Sequence, residues 1–176
     1  MEEKQLSLKK SGMTLYTDDL VWWDGTHPST LGCIELLNKI DLSKKTVLDI
    51  GTGIGILAIQ AKKQGAENVI AVDTNIAAIG LASYNAKINN VEIDFRVILN
   101  NEFDCMADVI VANLNPDILI SYLKKIKNFM NKGCKVIVTM PNEFDMEVEL
   151  LNTKCGLKIV DSYIDKTYCA FLLEEE

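Results

Sequence analysis

Long apolar runs are missing from this 176-residue sequence, and no stretch approaches the ~20 residues that a membrane-spanning helix needs. The N-terminal stretch MEEKQLSLKK also lacks the apolar centre of a secretory signal. The composition, 48% apolar and 24% charged, is typical of a globular domain. We therefore expect a soluble cytoplasmic protein with no membrane partner.

Cysteine is present, but not in the patterns that bind metals or stabilise small secreted domains. The five cysteines are odd in number and widely spaced, without any C-x-x-C: Cys33, Cys105, Cys134, Cys155 and Cys169. We expect reduced thiols, no disulfide framework and no metal site.

Positive charge is in deficit, since the formal net charge is -7. Such a chain is poorly suited to a polyanionic partner, so nucleic acid is a weaker expectation than a protein or small molecule, although a local basic patch could still bind RNA. Internal repeats and low-complexity linkers are absent too. At this length we expect a single domain at residues 21–176, after a polar N-terminal segment at 1–20 of which the first ~15 residues are loosely held.

Short β-branched runs alternate with helical patterns along the chain. The predicted strands are 46–50, 68–73, 93–99, 108–113 and 134–140, followed by two strands within 156–176. The predicted helices begin at Pro28, Ile54, Asn75, Asn115 and Asn142. This alternation predicts an α/β fold with a parallel, doubly wound sheet, to which a C-terminal hairpin adds an antiparallel strand.

Two of these helices carry predictions about burial. The inner face of the helix at 75–89 is expected to contain Ile76, Ile79 and Ile88. The helix from Asn115, whose side chain is expected to cap it, should run to Gly133 with an apolar stripe of Leu119, Leu123, Ile126 and Met130.

A glycine-rich turn follows the first predicted strand of the sheet, as Asp49-Ile50-Gly51-Thr52-Gly53-Ile54-Gly55. Glycines there let the backbone turn sharply and let a ligand approach the N-terminus of the next helix. Asp73 ends the second strand, where a carboxylate can accept hydrogen bonds from both hydroxyls of a ribose. The pattern therefore predicts a nucleoside site. The alternative is a tight turn flanked by solvated acids.

The spacing of the glycines favours one nucleoside over another. A dinucleotide fold requires G-x-G-x-x-G, whereas here the sixth position is Ile56. Asp49 would repel a pyrophosphate but suits the net positive charge of S-adenosylmethionine. We expect S-adenosylmethionine rather than NAD, with contacts from Asp49, Gly51, Thr52, Gly53, Gly55, Asp73 and Thr74.

Three stretches resemble a known family: GTHPST, KTVLDIGTGIGILAIQAKKQGAENVIAVDTN and DVIVANL. In this order they resemble the ribosomal protein L11 methyltransferases (PrmA), over roughly 21–171. The resemblance implies a Rossmann-like class I methyltransferase with a seven-stranded sheet and helices on both faces. It also implies that Asp73 holds the ribose, that Gly51 and Gly53 lie under the methionine moiety, and that Thr26 and Asn113 border the methyl-transfer centre.

The sequence departs from that family in two respects. Those enzymes carry a separate N-terminal domain that grips the ribosomal protein, and only about twenty residues precede the matching region here. The family's GTGTHPTT stretch is DGTHPST here, with Asp24 and Ser29 as the variant positions. The methyl acceptor is therefore left open, as an amine or other nucleophile of a protein or small molecule.

The stretch VWWDGTHPST is expected to pass over the cofactor. Trp22 and Trp23 would then line the site of a cationic or apolar methyl acceptor, while Thr26 and Thr30 offer hydroxyls there. His27 is expected to be near the substrate, either as a turn residue beside Pro28 or as a general base.

Asparagines supply the remaining site predictions. Asn113 can offer its side-chain oxygen to an acceptor amine and contact the cofactor. Asn100 or its neighbour Asn101 could meet the adenine edge, or belong to a plain loop. A non-catalytic S-adenosylmethionine-binding module and a nucleotide-binding redox domain remain alternatives, and the oligomeric state is open.

Overall fold

The computed structural model describes residues 4–8, 12–17, 26–99 and 104–176. Within these ranges, no helix combines the length and the apolar character needed to cross a bilayer.

From Pro28 onwards the strands and helices follow the predicted order, although two of the helices begin at Ile56 and Met146, later than the predicted Ile54 and Asn142. The strands are β1 (Lys4–Leu8), β2 (Met13–Thr17), β3 (Thr46–Ile50), β4 (Asn68–Asp73), β5 (Asp94–Val97), β6 (Ala107–Ala112), β7 (Met130–Pro141), β8 (Leu157–Ile164) and β9 (Tyr168–Glu175). The helices are α1 (Pro28–Leu37), α2 (Ile56–Lys63), α3 (Ile76–Ile88), α4 (Pro116–Leu123) and α5 (Met146–Thr153), with a short 3-10 helix at Ile126–Phe129.

Seven of the strands form one sheet in the order β5-β4-β3-β6-β7-β9-β8. Strands β3 to β7 pair in parallel, whereas β9 pairs antiparallel with both β7 and β8. This confirms the predicted sheet and its antiparallel C-terminal hairpin.

Alternate residues of the central strands face two separate apolar layers, because side chains in a strand alternate between faces. One layer packs α1, α2, α3 and β2 against strand residues that include Val47, Val109 and Ile137. The other packs α4, the 3-10 helix and α5 against the intervening residues. Continuing the alternation, Asp49, Asn113 and Thr139 belong to the α1 side of the sheet.

The N-terminal segment is not loosely held where the structure describes it, contrary to the prediction. Strands β1 and β2 form an antiparallel hairpin outside the main sheet. Met13 and Leu15 of β2 are buried in the same layer as α3. Polar residues alternate with these two apolar residues, which is the pattern of a half-buried strand. The predicted domain boundary at residues 20 and 21 stays a prediction.

The apolar stripe from Leu119 to Met130 is buried as predicted, but it does not form one helix. Helix α4 ends at Leu123, and Met130 begins β7 by pairing with Ala107 of β6. Gly133 therefore lies within a strand and ends no helix, because sheet pairing overrides the helical period. Asn115 does precede α4, but its side chain makes no capping hydrogen bond.

The predicted inner face of α3 is wrong. Ile76 is 76% exposed, and Ile79 and Ile88 are only half-buried. The buried residues of this helix are Ala78, Ala82, Asn85 and Ala86. A small side chain is required at Ala82 because Gly55 approaches so closely that a Cβ on it would lie 3.2 Å from Cα of Ala82. Asn75 caps this helix as predicted, by accepting from the amide of Ala77 at 2.9 Å.

Candidate functional site

The glycine-rich turn joins β3 to α2 at the carboxyl edge of the sheet. Gly51, Gly53 and Gly55 all have positive φ, at 73°, 54° and 85°, a region that residues with a Cβ rarely adopt. The amides of Gly51 and Thr52 both donate to the carbonyl of Val72 in β4, at 2.8 and 3.0 Å. Leu114 packs so closely over Gly51 that a Cβ there would collide with it. Glycine is therefore required at position 51, both for its positive φ and for its contact with Leu114.

Asp49 lies beneath the turn and is 1% exposed. Its Oδ2 accepts from Thr52 Oγ1 at 2.7 Å and from the amide of Ala58 in α2 at 3.2 Å. Burial raises the pKa of this carboxyl to about 7, against the lowering effect of those two hydrogen bonds, and the charge of Asp73 raises it further. The structure thus gives Asp49 a role in holding the turn, while its contact with a cationic ligand stays a prediction.

Asp73 closes β4 and is half-buried. Its Oδ2 accepts from the amide of Gly53 at 3.0 Å, and its Oδ1 accepts from the amide of Asn75 at 2.9 Å. The carboxylate therefore reaches across to the glycine-rich turn, a contact that the sequence did not predict. Each oxygen retains a second lone pair, so the carboxylate could accept one hydrogen bond from each of the two neighbouring hydroxyls of a ribose. Thr74 follows and is exposed.

A chain of side-chain hydrogen bonds crosses three elements beside this turn. Thr139 of β7 donates its hydroxyl to Asn113 Oδ1 at 2.8 Å. Asn113, at the end of β6, donates from Nδ2 to Thr30 Oγ1 in α1 at 3.2 Å. Thr30 and Thr139 are 2% and 1% exposed, whereas Asn113 is half-buried. Two buried hydroxyls thus fix the plane of a partly accessible amide, which retains one lone pair and one N–H.

His27 lies at the N-terminus of α1. Its Nδ1 accepts from the amide of Ser29 at 3.3 Å and is 2.7 Å from Ser29 Oγ, so the imidazole caps the helix. Its ring packs edge-to-face on Tyr168 of β9, with the ring centroids 4.6 Å apart. Thr26, the residue before it, is exposed. The helix-capping geometry matches the turn interpretation of His27, and Thr26 stays a prediction.

Several predicted site residues fall elsewhere. Trp22, Trp23, Asn100 and Asn101 lie outside the described residues. Three contributors were missed by sequence reasoning, namely Leu114, Thr139 and Tyr168. A threonine inside the apolar run VIVTM is the one signal that could have located Thr139, because a buried hydroxyl requires a partner.

Comparison with known proteins relates this arrangement to one family. The model of the family described as "Ribosomal protein L11 methyltransferase (PrmA)" matches residues 21–172. A ribosomal protein L11 methyltransferase of Alkaliphilus metalliredigens is 47% identical over 111 residues, which cover 61% of this chain and 35% of that protein. The chain thus spans about a third of the length of that relative.

Two solved structures share the architecture. The ribosomal protein L11 methylase of Lactobacillus delbrueckii subsp. bulgaricus is 26% identical, with a TM-score of 0.80, covering 86% of this chain and 81% of that one. The T. thermophilus 16S rRNA N2 G1207 methyltransferase, solved with AdoMet and guanosine, has a TM-score of 0.82 over 99% of this chain and 50% of its own. At 16% identity this second likeness concerns the fold alone.

Proposed function

We propose a function from the premise that this chain belongs to the ribosomal protein L11 methyltransferase (PrmA) family, whose model matches residues 21–172. The chain is an S-adenosylmethionine-dependent methyltransferase that acts on an amine of a protein. Ribosomal protein L11 is the first acceptor to test, since the relatives carry it in their names. The carrying observation is that the Asp73–Gly53 contact and the Thr30–Asn113–Thr139 chain both lie at the carboxyl edge of the parallel strands.

The residues at this edge fit the cofactor. The glycine-rich turn follows β3 at the carboxyl edge of the sheet, and its three glycines with positive φ give it the sharp bend that lets a ligand approach the N-terminus of α2. Asp73 would hold the ribose through the lone pairs that Gly53 and Asn75 leave unused. The acid Asp49 beneath the turn suits a ligand with net positive charge. S-adenosylmethionine, when bound, supplies a methyl group on a positively charged sulfur.

The protein's own contribution to such a reaction is alignment and exclusion of water. Asn113 can accept a hydrogen bond from an amine N–H through its remaining lone pair. This contact orients the amine and leaves the nitrogen's own lone pair available for attack on the methyl group. Thr30 and Thr139 hold the amide in place for that contact. His27 and Tyr168 form an aromatic wall on the same side. Methyl transfer at this site requires no strong base, because a neutral amine is already a nucleophile.

The test is transfer of a radiolabelled methyl group from S-adenosylmethionine to purified ribosomal protein L11, to total RNA and to a small-molecule extract in parallel. Label is expected in the protein sample. Asn113→Ala should lower the rate at least tenfold, about 1.4 kcal/mol. Asn128→Ala is the matched control, because Asn128 is exposed in the 3-10 helix that packs on the opposite face. Label in RNA alone would contradict the protein acceptor.

A non-catalytic cofactor-binding module is the second candidate, and the half-buried state of Asn113 is compatible with it. Calorimetry with S-adenosylhomocysteine separates the two, because such a module would bind this ligand yet label no acceptor. NADH serves as the comparison ligand for a redox domain, and tighter binding of NADH would overturn the assignment of the cofactor.

A further inference from the structure

Two asparagines of α3 act as a partner strand for β2. Asn85 Oδ1 accepts from the amide of Tyr16 at 2.7 Å, and Asn85 Nδ2 donates to the carbonyl of Tyr16 at 2.9 Å. One helical turn later, Asn89 makes the same pair of contacts with Thr14, at 3.3 and 2.6 Å. The spacing matches because residues i and i+4 of a helix and residues i and i+2 of a strand are both about 6–7 Å apart.

Only one of the two asparagines also contacts the glycine-rich turn. Asn85 Nδ2 uses its second hydrogen to donate to the carbonyl of Ile54 at 2.9 Å. Asn89 Nδ2 instead donates to the carbonyl of Asn85 within the helix, at 2.8 Å. Ile54 lies between Gly53, which contacts Asp73, and Gly55, which begins α2. Asn85 is fully buried, so water cannot satisfy its amide group if one of these hydrogen bonds is lost.

We propose that Asn85 is a positioning residue for cofactor binding, which ties the N-terminal hairpin to the glycine-rich turn. The amide has a single orientation that satisfies all three groups, because it accepts from one N–H and donates to two carbonyls. Docking of β2 therefore fixes the Asn85 side chain, and Asn85 in turn fixes the carbonyl of Ile54. The inference rests on the proposed cofactor, but it assigns a role to a residue that touches neither cofactor nor acceptor.

The experiment compares Asn85→Ala with Asn89→Ala as its matched control, since both remove one amide from α3 and both loosen β2. Calorimetry measures binding of S-adenosylhomocysteine at 10 °C, and circular dichroism checks folding. Asn85→Ala is expected to weaken binding at least tenfold, and Asn89→Ala less than threefold. Asn85→Asp provides an isosteric second variant if the alanine protein does not fold, and it should weaken binding as well, because an ionised carboxylate would face two carbonyls.

Hydrogen exchange of the unliganded proteins provides a readout that does not depend on the cofactor. The amides of Gly51 and Gly55, which donate to the carbonyls of Val72 and Thr52, should exchange at least tenfold faster in Asn85→Ala than in Asn89→Ala. Equal weakening of binding in the two variants, or equal exchange at the turn, would overturn the proposal. A wild-type protein that fails to bind S-adenosylhomocysteine would overturn the proposed cofactor, and the exchange comparison would still decide the role of Asn85.

Discussion

The two sides of the candidate site are built in different ways. The proposed cofactor side is a backbone structure from one continuous stretch, residues 49–55, completed by Asp73. The proposed acceptor side consists of side chains from four separate parts of the fold, namely Thr30, Asn113, Thr139 and Tyr168. The first should therefore be sensitive to any added atom, and the second to the loss of single polar groups while the fold persists.

The largest effect on stability is expected at Gly55, where the backbone packs closely against α3. Gly55→Ala should lower the free energy of unfolding by roughly 2–6 kcal/mol, through backbone strain at φ 85° and overpacking against Ala82. Gly65→Ala is the control, because its φ is 97° but a Cβ there meets nothing within 4 Å. Urea denaturation measures both variants. Equal losses would show that strain alone acts at Gly55.

Asp73→Ala should weaken binding of S-adenosylhomocysteine by roughly 2–4 kcal/mol, since it removes the acceptor for two ribose hydroxyls. It should also lower stability by about 1–2 kcal/mol, because the amides of Gly53 and Asn75 lose their acceptor. Calorimetry and urea denaturation measure the two effects. Asp94→Ala, at the start of β5, is the control and should leave affinity unchanged. Unchanged affinity in Asp73→Ala would mean that another group holds the ribose.

Asp49 should make the stability of the free protein depend on pH. Burial raises its folded-state pKa from 3.8 to about 7, so the folded state binds the proton more tightly than the unfolded state. The resulting stability is fully present below about pH 4 and is lost as the pH rises towards 7, with a slope of at most about 1.4 kcal/mol per pH unit. Denaturation of the wild type and Asp49→Asn at several pH values measures the difference. Parallel curves would show that Asp49 does not titrate in this window.

Thr139→Val tests the acceptor side with almost no change of shape. Losing the hydroxyl that holds Asn113 should lower turnover about tenfold, or 1.4 kcal/mol, with little effect on cofactor affinity. Thr139→Ser should restore most of the rate. Thr153→Val is the stability control, because Thr153 is also a buried threonine but donates to Leu150 in α5. A parallel fall in turnover and cofactor affinity would contradict a role confined to the acceptor side.

His27→Gln should have the smallest effect. The variant keeps a donor and an acceptor at the start of α1, so we expect most activity to remain and a loss of helix-cap stability of about 0.5–1 kcal/mol. A pH–rate profile of wild type and variant measures the activity, and urea denaturation measures the stability. If a limb near about pH 6–7 disappears in the variant together with most of the turnover, His27 is the general base and the helix-capping interpretation is wrong.

The same contrast explains what the sequence could predict. The turn at 49–55 and the acid at Asp73 follow from local spacing, which is visible in one stretch of chain. The Thr139–Asn113 contact joins residues 26 positions apart, and their meeting depends on β6 and β7 being neighbours in the sheet. The predicted burial of Ile76 fails for a similar reason. The buried face of α3 is determined by its close contacts with Gly55 and β2, and not by the spacing of its apolar residues.

The order of the strands has a consequence for synthesis on the ribosome. Strand β8 is made before β9, yet β9 lies between β7 and β8, so β8 has no place in the sheet until β9 has emerged. Helix α1, made much earlier, packs on β9, where a Cβ on Gly32 would lie 2.8 Å from Cβ of Ala170. The turn at 49–55 can pair with β4 long before that point. A nascent chain should therefore acquire the cofactor side first, and gain the aromatic contact of His27 with Tyr168 only after the C-terminal hairpin has left the exit tunnel.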